Sequence, residues 1–571
     1  MRPRATAFPD RRQILTGAAA LSAAGALPHW AHSQTPGITP RRTLSGEEIA
    51  LTIDHAPLRI NGRAGHGIAI NGTVPGPLIR LKEGQNVRIA VTNRLSEDTS
   101  IHWHGLILPF QMDGVPGVSF PGIKPGQTFV YEFPIVQAGT YWYHSHSGLQ
   151  ELEGHYAPLV IDPKGADPVA YDREHVVVLS DYSFTHPHVL MKKLKQEGGH
   201  FNRQKQTVAG LLAGKDQSLK DRVEWAAMRM DATDILDVTA STYHYLANGH
   251  GLQDNWTGLF TPGERVRIRL VNAAAMTLFN VRIPGLAMTV VQADGQDVRP
   301  VEVDELQIAN AETYDVVVTP TQDRPYALVA EAADRSGLVR ATLSPRPGLI
   351  ADAPPLRARP ILTMKDMGMD MAGHAGMDHG GGGGHTMSML DPKNAPQVRQ
   401  GPGVQMISPM PVDRVADRPT GLETEPGRIL TYANLVALQP NPDTRPPSRS
   451  MEIHLTGNME RFMWAFDGEK FSEITKPIPF RRDERVRVTL VNDSMMNHPI
   501  HLHGHFMDLV NGNPGHQPRK HTINVMPGGK ASFDLTADAP GDWAFHCHML
   551  LHMHAGMFKV VTVRPLDGEA A

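Results

Sequence analysis

One strand-sized phrase is written three times in this 571-residue chain, and it constrains the fold more than any other feature. Gly84-Gln-Asn-Val-Arg-Ile-Ala-Val-Thr-Asn93 recurs as Gly263-Glu-Arg-Val-Arg-Ile-Arg-Leu-Val-Asn272 and as Asp483-Glu-Arg-Val-Arg-Val-Thr-Leu-Val-Asn492. In each copy the apolar residues alternate: Val87, Ile89 and Val91; Val266, Ile268 and Leu270; Val486, Val488 and Leu490. A period of two marks a strand with one buried face, here entered from a polar turn and left at an asparagine. Any β protein has several such strands, but three that share spacing and wording indicate a triplicated β-domain. The 53 Gly and 46 Pro fit turn-rich β structure better than long helices. The expected fold is all-β, with three β-sandwich or barrel domains.

The expected boundaries are 44–165, 172–347 and 427–566, with a Met/His/Gly-rich, Pro-containing linker over 348–426. The second domain carries a lysine-rich helical insertion at about 190–230, read as a solvated surface helix pair. Residues 1–33 read as an export signal. Arg11 and Arg12 precede an apolar run at 14–27 that is too short to span a bilayer, and Ala31-His32-Ser33 offers a cleavage site. The Arg-Arg-Gln-Ile-Leu order is that of a twin-arginine signal, so the export machinery for folded proteins is an expected partner and the bacterial periplasm the expected location. No other stretch is apolar enough to cross a membrane. A net charge of −4 makes no electrostatic case for nucleic acid or an anionic membrane surface. The mature chain is expected to be a monomer.

The first and third copies match beyond the repeat. Nine residues after Asn93 stands His102, and nine after Asn492 stands His501. Pro125 lies fourteen residues before Gly139, which opens a run ending His144-Ser-His146; Pro527 lies fourteen before Gly541, which opens a run ending His546-Cys-His548. The middle copy has Val281 where the first histidine would stand, so it reads as a spacer. Four His-x-His pairs result: His102 and His104, His144 and His146, His501 and His503, His546 and His548. On a strand, residues i and i+2 share a face, so each pair presents two imidazoles together. If domains one and three pack as a pseudo-symmetric pair, eight imidazoles converge on their interface. Imidazole suits Cu, Zn, Fe and Ni alike.

The single cysteine excludes an intramolecular disulfide and any multi-cysteine cluster. Its position narrows the metal. Cys547 points away from His546 and His548, with His552 five residues on, Met557 ten on and His498 upstream. Two His, one Cys and a distant Met form the ligand set of a blue-copper electron-transfer site. The matching residues of domain one are Thr99, Ser145, Gln150 and His155, so that copy keeps the shared cluster and lacks the mononuclear site.

Asn71-Gly-Thr-Val-Pro-Gly-Pro-Leu-Ile-Arg80, His102-Trp-His-Gly105, His498-Pro-Ile-His-Leu-His-Gly504 and His546-Cys-His-Met-Leu-Leu-His552 resemble the motifs of three-domain multicopper oxidases. The resemblance covers essentially the whole mature chain. Within that family, the stretch 454–468 and the Met-rich segment are similar to the copper-resistance branch. The resemblance implies cupredoxin-like Greek-key domains and four copper ions. It assigns His498, Cys547, His552 and Met557 to type 1 copper, and His102 and His501 to type 2. His104, His144, His146, His503, His546 and His548 go to the type 3 pair. It further implies one-electron oxidation of a donor, with dioxygen reduced to water. Asp113, nine residues after His104, sits where related oxidases place a carboxylate near type 2 copper; it reads equally well as a turn residue of Met-Asp-Gly-Val. Relatives often carry an acidic residue just after the second type 1 histidine. Here the run is His552-Met553-His554, a departure that unsettles the usual proton route.

Residues 364–389 hold seven Met, three His and eight Gly, a composition not expected to bury a core. The segment reads either as a flexible linker or as a Cu(I)-capture arm, since soft thioethers prefer Cu(I). The capture residues would be Met364, Met367, Met369, Met371, His374, Met377, His379, His385, Met387 and Met389. Three functions remain open at this level: a cuprous oxidase for copper tolerance, a laccase-like oxidase of phenols, and a non-enzymatic copper store.

Overall fold

A computed structural model describes residues 42–369, 389–474 and 476–568; the twin-arginine segment lies outside the described residues. The three repeated phrases form strands inside three different sheets. Asn86–Asn93, Val266–Asn272 and Arg485–Asn492 each pair in parallel with an earlier strand: Glu48–Ile60, Arg173–Ser183 and Arg449–Asn458. Each also pairs antiparallel with a later one: Thr128–Pro134, Thr313–Val318 and Gly529–Thr536. These sheets have four, six and seven strands, and each has a five-stranded companion. In the first unit Ile49, Val87, Ile89 and Val91 of one sheet share a core with Trp103, Tyr143 and Leu159 of the other. The architecture is all-β, as the repeat predicts.

The asparagine that ends each copy does the same work in all three. The Asn93 side-chain amide donates to Glu97 O and Ile123 O (both 2.8 Å), and its Oδ1 accepts from Leu95 N (2.8 Å). Asn272 repeats this with Thr277 O, Ile308 O and Ala274 N at 2.9–3.0 Å. Asn492 repeats it with Met496 O, Val525 O and Ser494 N at 2.7–3.0 Å. All three are 0% exposed, so their hydrogen bonds meet no competition from water. The clamp ties the end of one sheet's strand to the loop that opens the companion sheet's next strand.

Three expectations need correction. The middle repeat strand is buried on both faces, because Arg267 and Arg269 are covered and paired with Asp315, Asp167 and Glu174. Arg269 also donates to Thr140 Oγ1 of the first unit, so a face open to solvent in an isolated domain is an interface here. The insertion is not simply a solvated pair of helices. It forms Pro187–Gln196, Val208–Leu212 and Leu219–Ala227, and buries Leu190, Leu194 and Trp225 while leaving Val208, Leu212, Leu219 and Val223 exposed. The described ends of the Met-rich stretch do join a core: Met367 is 0% exposed, and Met364, Met369 and Met389 pack against the same cluster. Further on, Val412–Asp413 pairs in parallel with Gly529–Lys530, so this stretch is built into the third unit.

Replacing Asn492 by Ala strands two buried carbonyls and one N–H. The expected loss is about 3 kcal/mol, at about 1 kcal/mol per hydrogen bond, read from denaturant unfolding. Asn272→Ala should cost a similar amount; a loss within error in both variants would refute the clamp.

Candidate metal centre

The strand His102–His104 runs antiparallel to Gly139–His144 and places His102 opposite His144. In the third unit, His498–Leu502 runs antiparallel to Gly541–Cys547 and places His501 opposite His546. The equal register means the two units present the same histidine pattern, and their interface interleaves it. His102 stacks on His503, and His104 on His501, each with ring centroids 3.8 Å apart. Two groups of three among the rings are those that the resemblance implies. His104, His144 and His548 have centroids 4.9–5.7 Å apart. His146, His503 and His546 have centroids 5.1–5.2 Å apart. Each triad draws on both units. His102 and His501 remain as a pair at 5.7 Å.

Ring polarity is set by what surrounds each imidazole. His102 Nδ1 donates to Asp113 O (2.8 Å), His144 Nδ1 to Ser145 O and Glu151 Oε2 (both 2.9 Å), His501 Nδ1 to His521 O (2.6 Å), and His546 Nδ1 to Cys547 O (3.0 Å). His503 Nδ1 meets Asp113 Oδ2 at 2.8 Å. A carbonyl can only accept, so Nδ1 carries the proton and Nε2 keeps its lone pair, the tautomer a metal needs. The Nε2 atoms of His102, His104, His144, His501 and His548 are buried with no hydrogen-bond partner. Buried polar atoms are rarely left so, and a metal ion supplies the missing partner. Burial first, and then repulsion from neighbouring rings, holds His104, His501, His503 and His548 well below the usual histidine range. Burial brings His546 to about 3. Neutral imidazoles are metal-ready imidazoles.

The cysteine faces a second group. Cys547 Sγ lies 3.6 Å from His498 Nδ1 and 3.8 Å from His552 Nδ1, and the two nitrogens are 3.3 Å apart. The outer nitrogens are held: His498 Nε2 pairs with Ser494 Oγ at 2.8 Å and His552 Nε2 with Asp237 Oδ2 at 2.6 Å. Trp464 stacks on His552 at 4.0 Å, and Met557, 0% exposed, accepts from the Cys547 N–H through its backbone carbonyl. Burial pushes the Cys547 thiol up, so positive charge at this group is what would make it a thiolate. The donor set of two Nδ1 and one sulfur fits copper.

Asp113 closes a turn and also reaches two imidazoles of the cluster. Its N–H closes a turn on Phe110 O, while its carboxylate reaches His503 at 2.8 Å and lies 3.2 Å from His102 Nδ1. Gly114 makes this possible: at φ +82° a Cβ there would lie 1.8 Å from Ile101 O. His554 is exposed and its Nε2 donates to Gly148 O at 2.6 Å, tying the helix Leu550–Ala555 to the first unit. Of the Met-rich segment, Met371, His374, Met377, His379, His385 and Met387 lie outside the described residues. Met367 is buried in the core instead of standing ready for capture.

Sequence reasoning missed Glu151, Asp237 and His521. Glu151 stands seven residues after His144, close enough to have been noticed as a candidate carboxylate. Asp237 is separated from His552 by 315 residues, and nothing local announces it.

A triplicated cupredoxin-like fold, with a thiolate–imidazole group joined through one strand to an imidazole cluster, defines an oxidase that works with several coppers. The chain belongs to the multicopper oxidase family, whose models match residues 52–166, 173–346 and 444–567. It is similar to copper resistance protein A of Escherichia coli, 46% identical across 97% of this chain and 99% of that one. It is likewise similar to the copper resistance protein A homolog of Pseudomonas syringae pv. tomato, 47% identical with the same coverage. The fold is also that of the laccase from Botrytis aclada (TM-score 0.62, 21% identity, 92% of this chain and 88% of that one). A multicopper oxidase from Campylobacter jejuni matches it too (TM-score 0.61, 19% identity, 94% and 97%).

Glu151→Ala removes the carboxylate from His144. The expected effect is a 10- to 100-fold loss of copper affinity at the cluster, roughly the worth of such supporting groups, with Glu151→Gln retaining most of it. Copper per chain after dialysis against a chelator measures this. The blue absorption of the cysteine group should persist, and equal retention by Glu151→Ala and the native protein would refute the role.

Proposed function

We propose that this protein is a periplasmic cuprous oxidase of copper tolerance, exported by the twin-arginine route, with four copper ions. His498, Cys547, His552 and Met557 hold type 1 copper, and His102 with His501 hold type 2. The two triads, His104 with His144 and His548, and His146 with His503 and His546, hold the type 3 pair. These coppers, when bound, supply one-electron oxidation of a donor and the reduction of dioxygen to water. With Cu(I) as donor the balance is four Cu(I), four protons and one dioxygen giving four Cu(II) and two waters.

The observation that carries the reading is Cys547. Its sulfur faces His498 and His552, while its backbone neighbours His546 and His548 stand one in each triad. A single covalent segment therefore links the donor side to both halves of the cluster. On the donor side, Asp237 fixes the His552 ring edge, and a depression beside the insertion is lined by Met230, Met459, Glu197, Asp231, Asp234 and Glu460, with Lys205 and Arg229 among them. Thioethers and carboxylates together suit a copper ion that arrives as Cu(I) and leaves as Cu(II). At the cluster, the Asp113 carboxylate lies between His503 Nδ1 at 2.8 Å and His102 Nδ1 at 3.2 Å, where it orients one ring of the pair and one ring of a triad. The relatives named for copper resistance support the physiological role.

Oxygen uptake by the copper-loaded mature protein tests this, with chelated Cu(I) and a simple phenol offered in parallel. Cu(I) should be the better donor. Cys547→Ser should abolish turnover with both donors and remove the blue absorption. Replacing Met230 and Met459 by Leu should raise KM for Cu(I) about tenfold, equivalent to about 1.4 kcal/mol, and leave phenol unchanged. Preference for phenol with no effect of the double variant would make the protein laccase-like; copper binding without oxygen uptake would make it a store.

A further inference from the structure

The middle unit, which carries none of the eight paired histidines, reaches the cluster through one hairpin tip. The strands Met288–Ala293 and Gln296–Val303 are joined by Asp294 and Gly295, both in the left-handed region at φ +51° and +73°. The tip is wedged between the other two units. A Cβ on Gly295 would run into the ring of Tyr141, and one on Gly139 would run into Gly295 O. Gly139 and Tyr141 belong to the strand Gly139–His144 of the first unit. On its other side the tip presents the Asp294 carboxylate to the third unit. There the chain leaves the strand Arg519–Lys520 of the seven-stranded sheet and enters Thr522–Val525 of its five-stranded companion.

Asp294 Oδ1 accepts from Thr313 N (3.1 Å) within its own unit, while Oδ2 accepts from His521 N (3.2 Å) and Thr522 N (3.1 Å). Oδ2 also lies 3.0 Å from the Lys520 ammonium, which is buried and stands 2.9 Å from Glu312 Oε1 and above the rings of Tyr314 and Tyr432. An ammonium so far from water holds its carboxylate partners in place, because separating them would leave a bare charge. The peptide between His521 and Thr522 then has both of its edges occupied. It is trans, so its N–H and its C=O point in opposite directions. The N–H donates to Asp294, and the C=O accepts from His501 Nδ1 at 2.6 Å. Thr522 also stands opposite His501 in the sheet register. Turning this peptide away from Asp294 would swing its carbonyl off the His501 ring.

We infer that Asp294 is a positioning residue for His501: held by Lys520, it fixes the His521–Thr522 peptide plane, whose carbonyl keeps the proton on His501 Nδ1 and aims Nε2 into the cluster. The inference rests on the assignment of His501 as a copper ligand proposed above. His501 Nε2 is buried with no hydrogen-bond partner, so the grip on Nδ1 is what sets the direction of its lone pair. The middle unit thereby takes part in the chemistry although it lacks the histidines. The plainer role for Asp294 is that of a staple, one member of an ion cluster that ties two units together. Glu312 separates the two roles. It pairs with the same ammonium, yet the hydrogen bonds of its carboxylate are with Ala309 N (2.8 Å) and Tyr432 Oη (2.6 Å), away from the crossover.

The experiment compares the native protein with Asp294→Ala, with Asp294→Ala combined with Lys520→Met, and with Glu312→Gln, all loaded with copper and dialysed against a graded chelator. The double variant removes the acceptor without leaving an unpaired buried ammonium, so it carries the test where the single one fails to fold. Readouts are copper per chain, the blue absorption, the electron paramagnetic resonance of the Cu(II) that is not blue, and the melting temperature of the copper-free form. Both Asp294 variants should release one copper at a chelator concentration about tenfold lower, with a changed non-blue resonance and the blue absorption kept. Glu312→Gln should melt lower yet keep the native copper content and resonance. A crystal structure of the copper-free double variant should show the His501 ring turned off the His521 carbonyl. Native copper retention and resonance in the double variant would overturn the inference, as would the same copper loss in Glu312→Gln, which would mark a staple. If the native protein loads only the blue copper, the proposed function falls, and the His501 ring alone decides the inference: an unmoved ring overturns it.

Discussion

A buried asparagine amide, repeated three times, sets the geometry on which everything else depends. Asn93, Asn272 and Asn492 each end a strand of one sheet and bind the loop that starts a strand of the other. The second acceptor in each case, Ile123 O, Ile308 O or Val525 O, belongs to chain that returns alongside the new strand. Because the amide satisfies two carbonyls and one N–H in a dry core, the loop has little freedom in length or path. The nine-residue offset from Asn93 to His102 and from Asn492 to His501 follows from this restraint. The middle unit departs from it: Phe279, seven residues after Asn272, lies opposite the clamped Ile308, whereas Thr99 and His498 lie opposite Ile123 and Val525 six residues after their asparagines, so Arg282 and not the expected Val281 takes the register position of the histidines.

Bringing eight imidazoles together inside a protein is possible only if they stay neutral. Two charged rings with centroids 3.8 Å apart, as His104 and His501 are, would repel each other strongly in a medium of low dielectric. Burial holds both well below the usual histidine range, and around the cluster backbone carbonyls and carboxylates accept hydrogen bonds from Nδ1. The lone pairs left on Nε2 converge at a cost in unpaired polar atoms, which metal binding offsets. The cysteine group inverts this polarity, with Nδ1 facing sulfur and Nε2 held by Ser494 and Asp237. The inversion lets one strand serve two centres, one on each face.

The parts legible in the sequence are those encoded at short range. Strand period, the asparagine stop and the His-x-His spacing are local, so the β-repeat and the convergence of the histidine pairs could be read directly. Asp237 and His521 became visible only in three dimensions, whereas Glu151, seven residues after His144, stood within reach of a sequence reading. Asp237 lies between the insertion and the strand Tyr243–Ala247, on a stretch that no motif marks, and His521 occupies a crossover between two sheets that no periodicity marks. The burial of Arg267 and Arg269 was illegible for a related reason: the arginines sit at the polar positions of an alternating strand, and only Asp315 and Glu174 on neighbouring strands, with Thr140 across the interface, reveal that this face is covered. The Met-rich stretch misled by its average composition, since Met367 at one end is a core residue.

The first unit shows what the cysteine group replaces. Thr99 and Ser145 both donate to Gln150 Oε1, at 2.7 and 2.8 Å, and the Gln150 amide donates onward to Glu97 Oε1 and Asp98 O, both at 2.9 Å. His155 takes the position of Met557, and its carbonyl accepts from Ser145 N–H (3.0 Å) as that of Met557 does from Cys547 N–H (3.2 Å). The same backbone is therefore held in one unit by hydrogen bonds that converge on Gln150 and in the other by a group whose sulfur and two nitrogens face one another. Hydroxyl and amide oxygens are hard donors and lack the soft sulfur that an electron-transfer copper site uses. On the proposed function, this leaves the cluster with a single electron source, the third unit, although the imidazoles that would hold the electron-accepting coppers come equally from both. The asymmetry allows the first unit to hold His144 and His146 in place by protein contacts alone, with Gln150 securing the residue between them and Glu151 the ring of His144.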